Sequence, residues 1–107
     1  MKKEVIIFLL FLTMFITGIN GCIPESKIES IKNACINECQ KQINEGKNLS
    51  SECLLDPIAD TDWVCDVAHS PRQSIDNLQE NQCKSWQNGT AKHFIEVSPE
   101  CKFIRSI

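Results

Sequence analysis

The chain lacks the excess of positive charge that binding to nucleic acids requires. Its 107 residues include 11 lysines and arginines against 14 aspartates and glutamates, so the formal net charge is −3. Proteins that bind DNA or RNA usually present a basic surface to the phosphates. We therefore expect no nucleic-acid partner.

Catalytic sequence motifs are also missing. Histidine occurs only at His69 and His93, and the chain contains neither GxSxG nor HExxH. An uninterrupted apolar segment of about 20 residues, which a transmembrane helix needs, is lacking as well, because the uncharged stretch of residues 5–19 is shorter. The sequence therefore indicates neither a common hydrolase nor an integral membrane protein.

The N-terminus has the layout of an export signal. Lys2 and Lys3 precede the apolar stretch of residues 5–19, and small residues follow it. A positive segment, a short apolar segment and small residues at the cleavage site define secretory signal peptides. We expect a signal peptide over residues 1–21 and a single extracytoplasmic domain over residues 22–107.

The stretch "ITGINGC" ends in a cysteine at the position where a lipoprotein signal is cut. It resembles the lipobox of bacterial-type lipoproteins: Ile19, Gly21 and Cys22 match that pattern, and Asn20 departs from it. The resemblance implies lipidation of Cys22 and attachment to the outer face of the cytoplasmic membrane. The alternatives are a free thiol after ordinary cleavage, a disulfide partner for another cysteine, and a signal helix that stays uncleaved in the membrane.

Six cysteines follow Cys22, and their even number predicts a disulfide framework. Small exported chains commonly carry such frameworks, because a core of this size contributes little net stability. We expect three disulfides that stabilise the domain. The six are Cys35, Cys39, Cys53, Cys65, Cys83 and Cys101.

The segment "IPESKIESIKNACINECQKQINEGKN" predicts an amphipathic helix. Ser26 and Glu29 have the spacing of a capping box, and Gly46 follows the last apolar residue of the pattern. Cys35 and Cys39 lie on one helical face, with Cβ atoms about 5 to 6 Å apart, whereas a disulfide needs about 3.8 Å. We therefore expect each of them to bond to a segment after Gly46.

The remaining segments predict a small sheet. "KNLSSECLLDPIADT" is typical of a loop, "DWVCDVAH" of a strand and "SPRQSIDNLQENQ" of polar turns, while "AKHFIEV" and "CKFIRSI" predict a C-terminal hairpin. We expect an α+β fold, in which one N-terminal helix packs on an antiparallel sheet of about three strands.

The stretch "CDVAHSPR" gathers residues that could supply a nucleophile and a general base. Cys65, Asp66, His69, Ser70 and Arg72 lie within eight positions. Catalysis would further require the base within hydrogen-bond reach of the nucleophile. The alternative interpretation is the end of a strand that enters a turn, with Arg72 paired to a carboxylate.

Metal binding is a further hypothesis, which the cysteines argue against. Cys35, Cys39, Cys65 and His69 could be written as a zinc site, but zinc needs thiolates and an oxidising compartment converts thiols into disulfides. The acidic residues that could suggest calcium lack the order of an EF-hand loop. We expect neither a metal nor a cofactor. The acidic residues are Asp56, Asp60, Asp62 and Asp66.

Four further residues carry predictions. Asn48 and Asn88 each begin an Asn-x-Ser/Thr triplet in a predicted loop, which makes them candidate glycosylation sites. We expect Trp63 to fill the core. Trp86, in the polar context "CKSWQNGT", is the better candidate for an exposed contact with a partner.

The stretches "DWVCDVAHSPR", "IDNLQENQC" and "HFIEVSPEC" resemble segments of small exported, functionally uncharacterised archaeal proteins. That resemblance implies no activity and no site residue. The sequence favours a disulfide-stabilised binding or envelope-associated module, tethered to the membrane through an N-terminal lipid or an uncleaved signal, with a protein or envelope partner. The alternative is a small secreted enzyme or inhibitor that uses the cluster from Asp66 to Arg72.

Overall fold

The computed structural model describes residues 24–107, and the predicted signal peptide and Cys22 lie outside this range. The elements are one long helix, four strands, two 3₁₀ turns and one short helix, so the predicted α+β class is confirmed. In chain order they are α1 (Glu25–Asn44), β1 (Cys53–Leu55), β2 (Trp63–Val67), the turns Ser74–Asn77 and Gln79–Asn81, α2 (Lys84–Gln87), β3 (His93–Val97) and β4 (Phe103–Ser106).

Helix α1 begins two residues earlier than the capping-box prediction requires. Pro24 is its extended N-cap residue, and no side chain caps the helix. Ser26 is already the second helical residue, so the predicted capping box with Glu29 is wrong. The helix ends as predicted at Gly46, whose φ of +88° is left-handed and whose N–H donates to the carbonyl of Ile43 at 2.9 Å.

The four strands form one sheet in the order β1-β2-β3-β4. The outer pairs are antiparallel, and the hairpin of β3 and β4 is the predicted one, but the middle pair is parallel. The expectation of a wholly antiparallel sheet is therefore corrected. Residues 68–92 separate β2 from β3, which is more than the dozen or so residues that a parallel crossover needs. Strand β1 lies within the segment predicted as a loop.

Helix α1 packs on one face of the sheet, called here the inner face. Because side chains alternate along a strand, every second residue of β2 and β3 points toward the helix. Trp63 is 5% exposed there, so its predicted core position is confirmed. The buried residues at this contact include Ile31, Cys35, Cys39, Trp63, Cys65, Val67, Ile95 and Val97.

The expected three disulfides are present. Cys35–Cys65 joins α1 to β2, and Cys39–Cys101 joins α1 to the turn before β4. Cys53–Cys83 joins β1 to the start of α2 on the opposite face of the sheet, called here the outer face. The two helix cysteines thus bond to segments after Gly46 and not to each other.

Removal of a disulfide between helix and sheet should destabilise the domain strongly. Cys39→Ala/Cys101→Ala opens a loop with a sequence separation of 62 residues. The lost constraint on the unfolded chain should lower the free energy of unfolding by about 4 kcal/mol. Urea denaturation followed by circular dichroism measures the difference.

The control for this prediction is Ser26→Ala, which should change the free energy of unfolding by less than about 0.5 kcal/mol, because the Ser26 side chain forms no cap. A loss of about 1 kcal/mol in this control would indicate a functioning cap. A double cysteine variant as stable as the native protein would contradict the role assigned to the bridge.

Candidate functional site

The outer face of the sheet carries a row of charged side chains across three strands. Asp66 of β2 lies beside Glu96 of β3, and Glu96 lies beside Arg105 of β4. A sheet face that holds charges needs partners or solvent, because burial of an unpaired charge is costly. The structure supplies partners to only part of this row.

Glu96 is held between two guanidinium groups. Its side chain is 3% exposed, and its Oε2 accepts a hydrogen bond from Nη1 of Arg72 at 2.9 Å. Its Oε1 accepts a hydrogen bond from Nε of Arg105 at 2.6 Å. Charge-assisted hydrogen bonds of this kind are the strong ones, so they compensate for the burial of the carboxylate.

Arg72 is fixed by the loop that follows β2. Its Nε donates to Oδ1 of Asn77 at 2.8 Å, and its Nη2 donates to the backbone carbonyl of Asp76 at 3.3 Å. All three nitrogens of this guanidinium therefore have an acceptor. Arg72 serves to hold Glu96 and to tie the loop to the sheet.

Asp76 organises the same loop. Its carboxylate accepts hydrogen bonds from the backbone N–H groups of His69 and Gln73, from Nδ1 of His69 at 2.9 Å, and from the hydroxyl of Ser51 at 2.9 Å. Burial opposes ionisation of this group, but the hydrogen bonds outweigh burial and lower the pKa of Asp76 to about 2. This network is a structural anchor that positions Arg72.

Asp66 has no comparable support. Its Oδ1 is enclosed and has no hydrogen-bond partner within residues 24–107. Burial, followed by the charge of Glu96, raises the pKa of Asp66 to about 7, and the charges of Arg72 and Arg105 oppose that rise only in part. Near pH 7 the group is therefore partly protonated, and one of its oxygens has no hydrogen-bond partner within residues 24–107.

Asp66 faces a pocket with a volume of about 220 Å³ on the outer face. Carboxylates and guanidiniums form one side of it, while Val64, Phe94 and Trp86 provide an apolar wall. The rings of Trp86 and Phe94 meet edge to face with their centroids 4.8 Å apart, and the Arg105 guanidinium lies 5.2 Å from the centre of the Phe94 ring. The site thus combines charged groups with an aromatic surface.

The structure brings together only part of the predicted cluster. Asp66 and Arg72 both line the pocket. Cys65 points to the inner face in a disulfide, His69 is bonded to Asp76, and Ser70 is exposed. Within the described residues these side chains therefore form no hydrogen-bonded pair of nucleophile and base, because the alternation of the strand and the loop after it separate them.

Sequence reasoning missed Glu96, Arg105 and the place of Trp86 in the same pocket. One signal was available, since Glu96 is a charged residue inside the apolar strand "HFIEV". A charge at such a position indicates a buried partner. The partners themselves could not be read from the sequence, because Arg72 and Arg105 come from distant segments.

Disulfides occupy the cysteines of the hypothetical zinc site. Cys35, Cys39 and Cys65 are all oxidised, so they offer no thiolate. Within residues 24–107, Cys53, Asp56 and Cys83 do come close together, but the two sulfurs are bonded to each other. Oδ2 of Asp56 accepts a hydrogen bond from the backbone N–H of Ser85 at 3.1 Å, so this grouping is explained without a metal.

The remaining predicted residues lie at the surface or outside the described range. Asn48 and Asn88 are both exposed, and their glycosylation stays a prediction, as does lipidation of Cys22. Trp86 is 36% exposed at the pocket, as predicted, and its contact with a partner stays a prediction. In residues 24–107 no helix has the length and apolar character needed to cross a membrane.

Comparison with known proteins finds no matching family model, no matching curated protein and no matching solved structure. The resemblance to small exported archaeal proteins therefore stays a prediction.

The raised pKa of Asp66 predicts a pH-dependent stability. Between the usual pKa of 3.8 and the folded value of about 7, the folded protein keeps a proton that the unfolded chain releases. The free energy of unfolding should therefore fall as the pH rises, by about 3 kcal/mol between pH 4.5 and pH 8. Asp66→Asn should abolish this decline, as urea denaturation at both pH values can measure.

Asp60→Asn, a substitution at an exposed position, is the matched control, and its free energy of unfolding should depend on pH as that of the native protein does. Asp76, with its lowered pKa, loses its stabilising effect only below about pH 4, so it does not obscure the comparison. If the free energy of unfolding depends on pH in the same way in the native protein and in Asp66→Asn, the raised pKa of a buried Asp66 is contradicted.

Proposed function

We propose that the chain is a small exported binding module, tethered to the outer face of the cytoplasmic membrane through lipid on Cys22. The observation that carries export is the pairing of all six cysteines of residues 24–107 in three disulfides. Disulfides persist in oxidising compartments and are rare where cellular thiols stay reduced. The tether follows from the lipobox resemblance at the N-terminus.

Two observations support binding as the role of the domain. The pocket on the outer face pairs an aromatic wall with the carboxyl group of Asp66, whose enclosed Oδ1 has no partner and whose accessible part could accept a hydrogen bond from a bound molecule. Nδ1 of His69, the histidine of the predicted catalytic cluster, donates to Asp76, and within residues 24–107 no hydrogen bond joins the His69 ring to Asp66 or Ser70. The second histidine, His93, stacks on Trp63 with a centroid distance of 4.5 Å.

Intact mass spectrometry of the membrane-fraction protein tests export and tether together. The product should begin at Cys22, carry lipid, and gain about 6 Da on reduction, because each of three disulfides takes up two hydrogens. The control variant Cys22→Ser should leave the membrane fraction and keep the same gain on reduction. A product that begins at Met1, or one whose mass is unchanged by reduction, would overturn the proposal.

One observation favours a second function, that of a small secreted enzyme. A carboxyl group with a pKa of about 7 is suited to general acid–base catalysis at neutral pH, and Asp66 meets that condition inside a pocket. Arg72 also lies there, although it serves Glu96. In this case Asp66, and not His69, would transfer the proton.

A panel of methyl glycosides tests this second function, because glycosidases use a carboxylic acid with a raised pKa as their proton donor and methanol, a poor leaving group, needs that proton in order to depart. An enzyme should release methanol with a pH inflection near 7, and Asp66→Asn should abolish the release while Asp60→Asn preserves it. If both variants release the leaving group equally well, Asp66 is not the proton donor. If no glycoside of the panel is cleaved, glycoside hydrolysis is excluded as the activity.

A further inference from the structure

We infer that the pocket on the outer face binds a small zwitterion that carries an ammonium group and a carboxylate, as a free α-amino acid does. The ammonium group donates to Asp66, the carboxylate accepts from Arg105, and the rest of the molecule lies against Trp86 and Phe94. The inference deepens the proposed binding function and rests on it, because it names the class of ligand for the same pocket.

The cationic end is assigned from the carboxyl group of Asp66. Its Oδ1 is enclosed and has no hydrogen-bond partner in the described part of the chain, and an unsatisfied buried acceptor costs about 1 to 3 kcal/mol. The side chain as a whole is only partly buried and lines the pocket, so a ligand can reach the carboxyl group through its other oxygen, Oδ2. An ammonium group that donates there also stabilises the ionised carboxylate, which the protein itself leaves without a hydrogen-bond donor at Oδ1.

The anionic end is assigned by comparing the two arginines. Arg72 uses Nε, Nη1 and Nη2 on protein acceptors. Arg105 uses Nε on Glu96, and within residues 24–107 its two Nη groups make no hydrogen bond. Its side chain is 48% exposed beside the pocket, so these donors can reach a ligand. A guanidinium presents paired donors in the geometry that a carboxylate accepts.

The balance of charges in the pocket favours a ligand that carries both an ammonium group and a carboxylate over a ligand with a single charge. The pocket is lined by two carboxyl groups, Asp66 and Glu96, and by the guanidiniums Arg72 and Arg105. When Asp66 is ionised these charges cancel, so neither a net cation nor a net anion gains from the whole site. Among the charged groups of the pocket, Asp66 and Arg105 keep free hydrogen-bonding capacity, and their opposite charges suit a dipolar molecule.

The spacing and volume suit a small molecule. Asp66, Glu96 and Arg105 are neighbours on three adjacent strands, so the two outer backbones are about 10 Å apart. A volume of about 220 Å³ is below that of common drug-sized pockets, and the aromatic wall accepts an apolar side chain.

Proton release should accompany binding. The charged groups that face Asp66 are Glu96 from β3, Arg105 from β4, and Arg72 and Asp76 from the loop after β2. With a pKa of about 7, Asp66 is largely protonated at pH 6.5, and an ammonium ligand requires the ionised form. The affinity should therefore rise as the pH increases toward 8, and binding at pH 6.5 should release protons into the buffer.

Isothermal titration calorimetry of the isolated oxidised protein tests the inference with L-alanine and L-leucine. Each amino acid should bind at least tenfold more tightly than the two analogues that lack either its carboxylate or its amino group. These analogues are ethylamine and propionate for alanine, and 3-methylbutylamine and 4-methylpentanoate for leucine. Asp66→Asn and Arg105→Gln should each weaken binding at least tenfold. The matched controls at exposed positions, Asp60→Asn and Lys102→Gln, should bind as the native protein does.

Thermal unfolding of each variant checks that it is folded. Titrations of the native protein in phosphate and in Bis-Tris at pH 6.5, two buffers with different enthalpies of ionisation, measure proton release without any substitution. The inference is overturned if the amines or carboxylates bind as tightly as the amino acids, if methyl glucoside binds in place of the amino acids, or if no amino acid binds. Each of these results leaves the proposed tether and disulfides intact, since mass spectrometry decides those separately.

Discussion

The two disulfides between α1 and the sheet are the constraint on which the rest of the structure depends. Cys35–Cys65 and Cys39–Cys101 bond successive turns of the helix to two different segments of the sheet. They commit one face of the sheet to the helix and the core. In so small a domain the buried apolar surface alone would offset little more than the conformational entropy lost on folding. The opposite face is thereby available for charged side chains.

The outer face combines satisfied and unsatisfied polar groups in one row. Glu96 is buried and receives two charge-assisted hydrogen bonds, whereas Asp66 beside it keeps an oxygen without a partner. Networks of this kind are stable where every member is paired, and a member that stays unpaired marks a place where a ligand can contribute. The third disulfide, Cys53–Cys83, holds the segment that carries Trp86 against this face.

Local patterns in the sequence predicted the elements well where a single segment carried the signal. The apolar spacing of α1, its end at Gly46 and the hairpin of β3 and β4 were all predictable, because each depends on neighbours in the chain. The short strand β1 and the parallel pairing of β2 with β3 were not. Both depend on which segments meet after the long connection of residues 68–92, and no local pattern encodes that meeting.

The sequence by itself determined the α+β class, the disulfide-rich character and the impossibility of a bond between Cys35 and Cys39, because helical spacing fixes how far apart those two sulfurs lie. Only the tertiary structure decided which cysteines pair, and only it joined Asp66 to Glu96, Arg105 and Trp86. Those four residues come from four separate segments, and their contact arises from strand order and from the loop that Asp76 anchors. Long-range pairing therefore created the pocket.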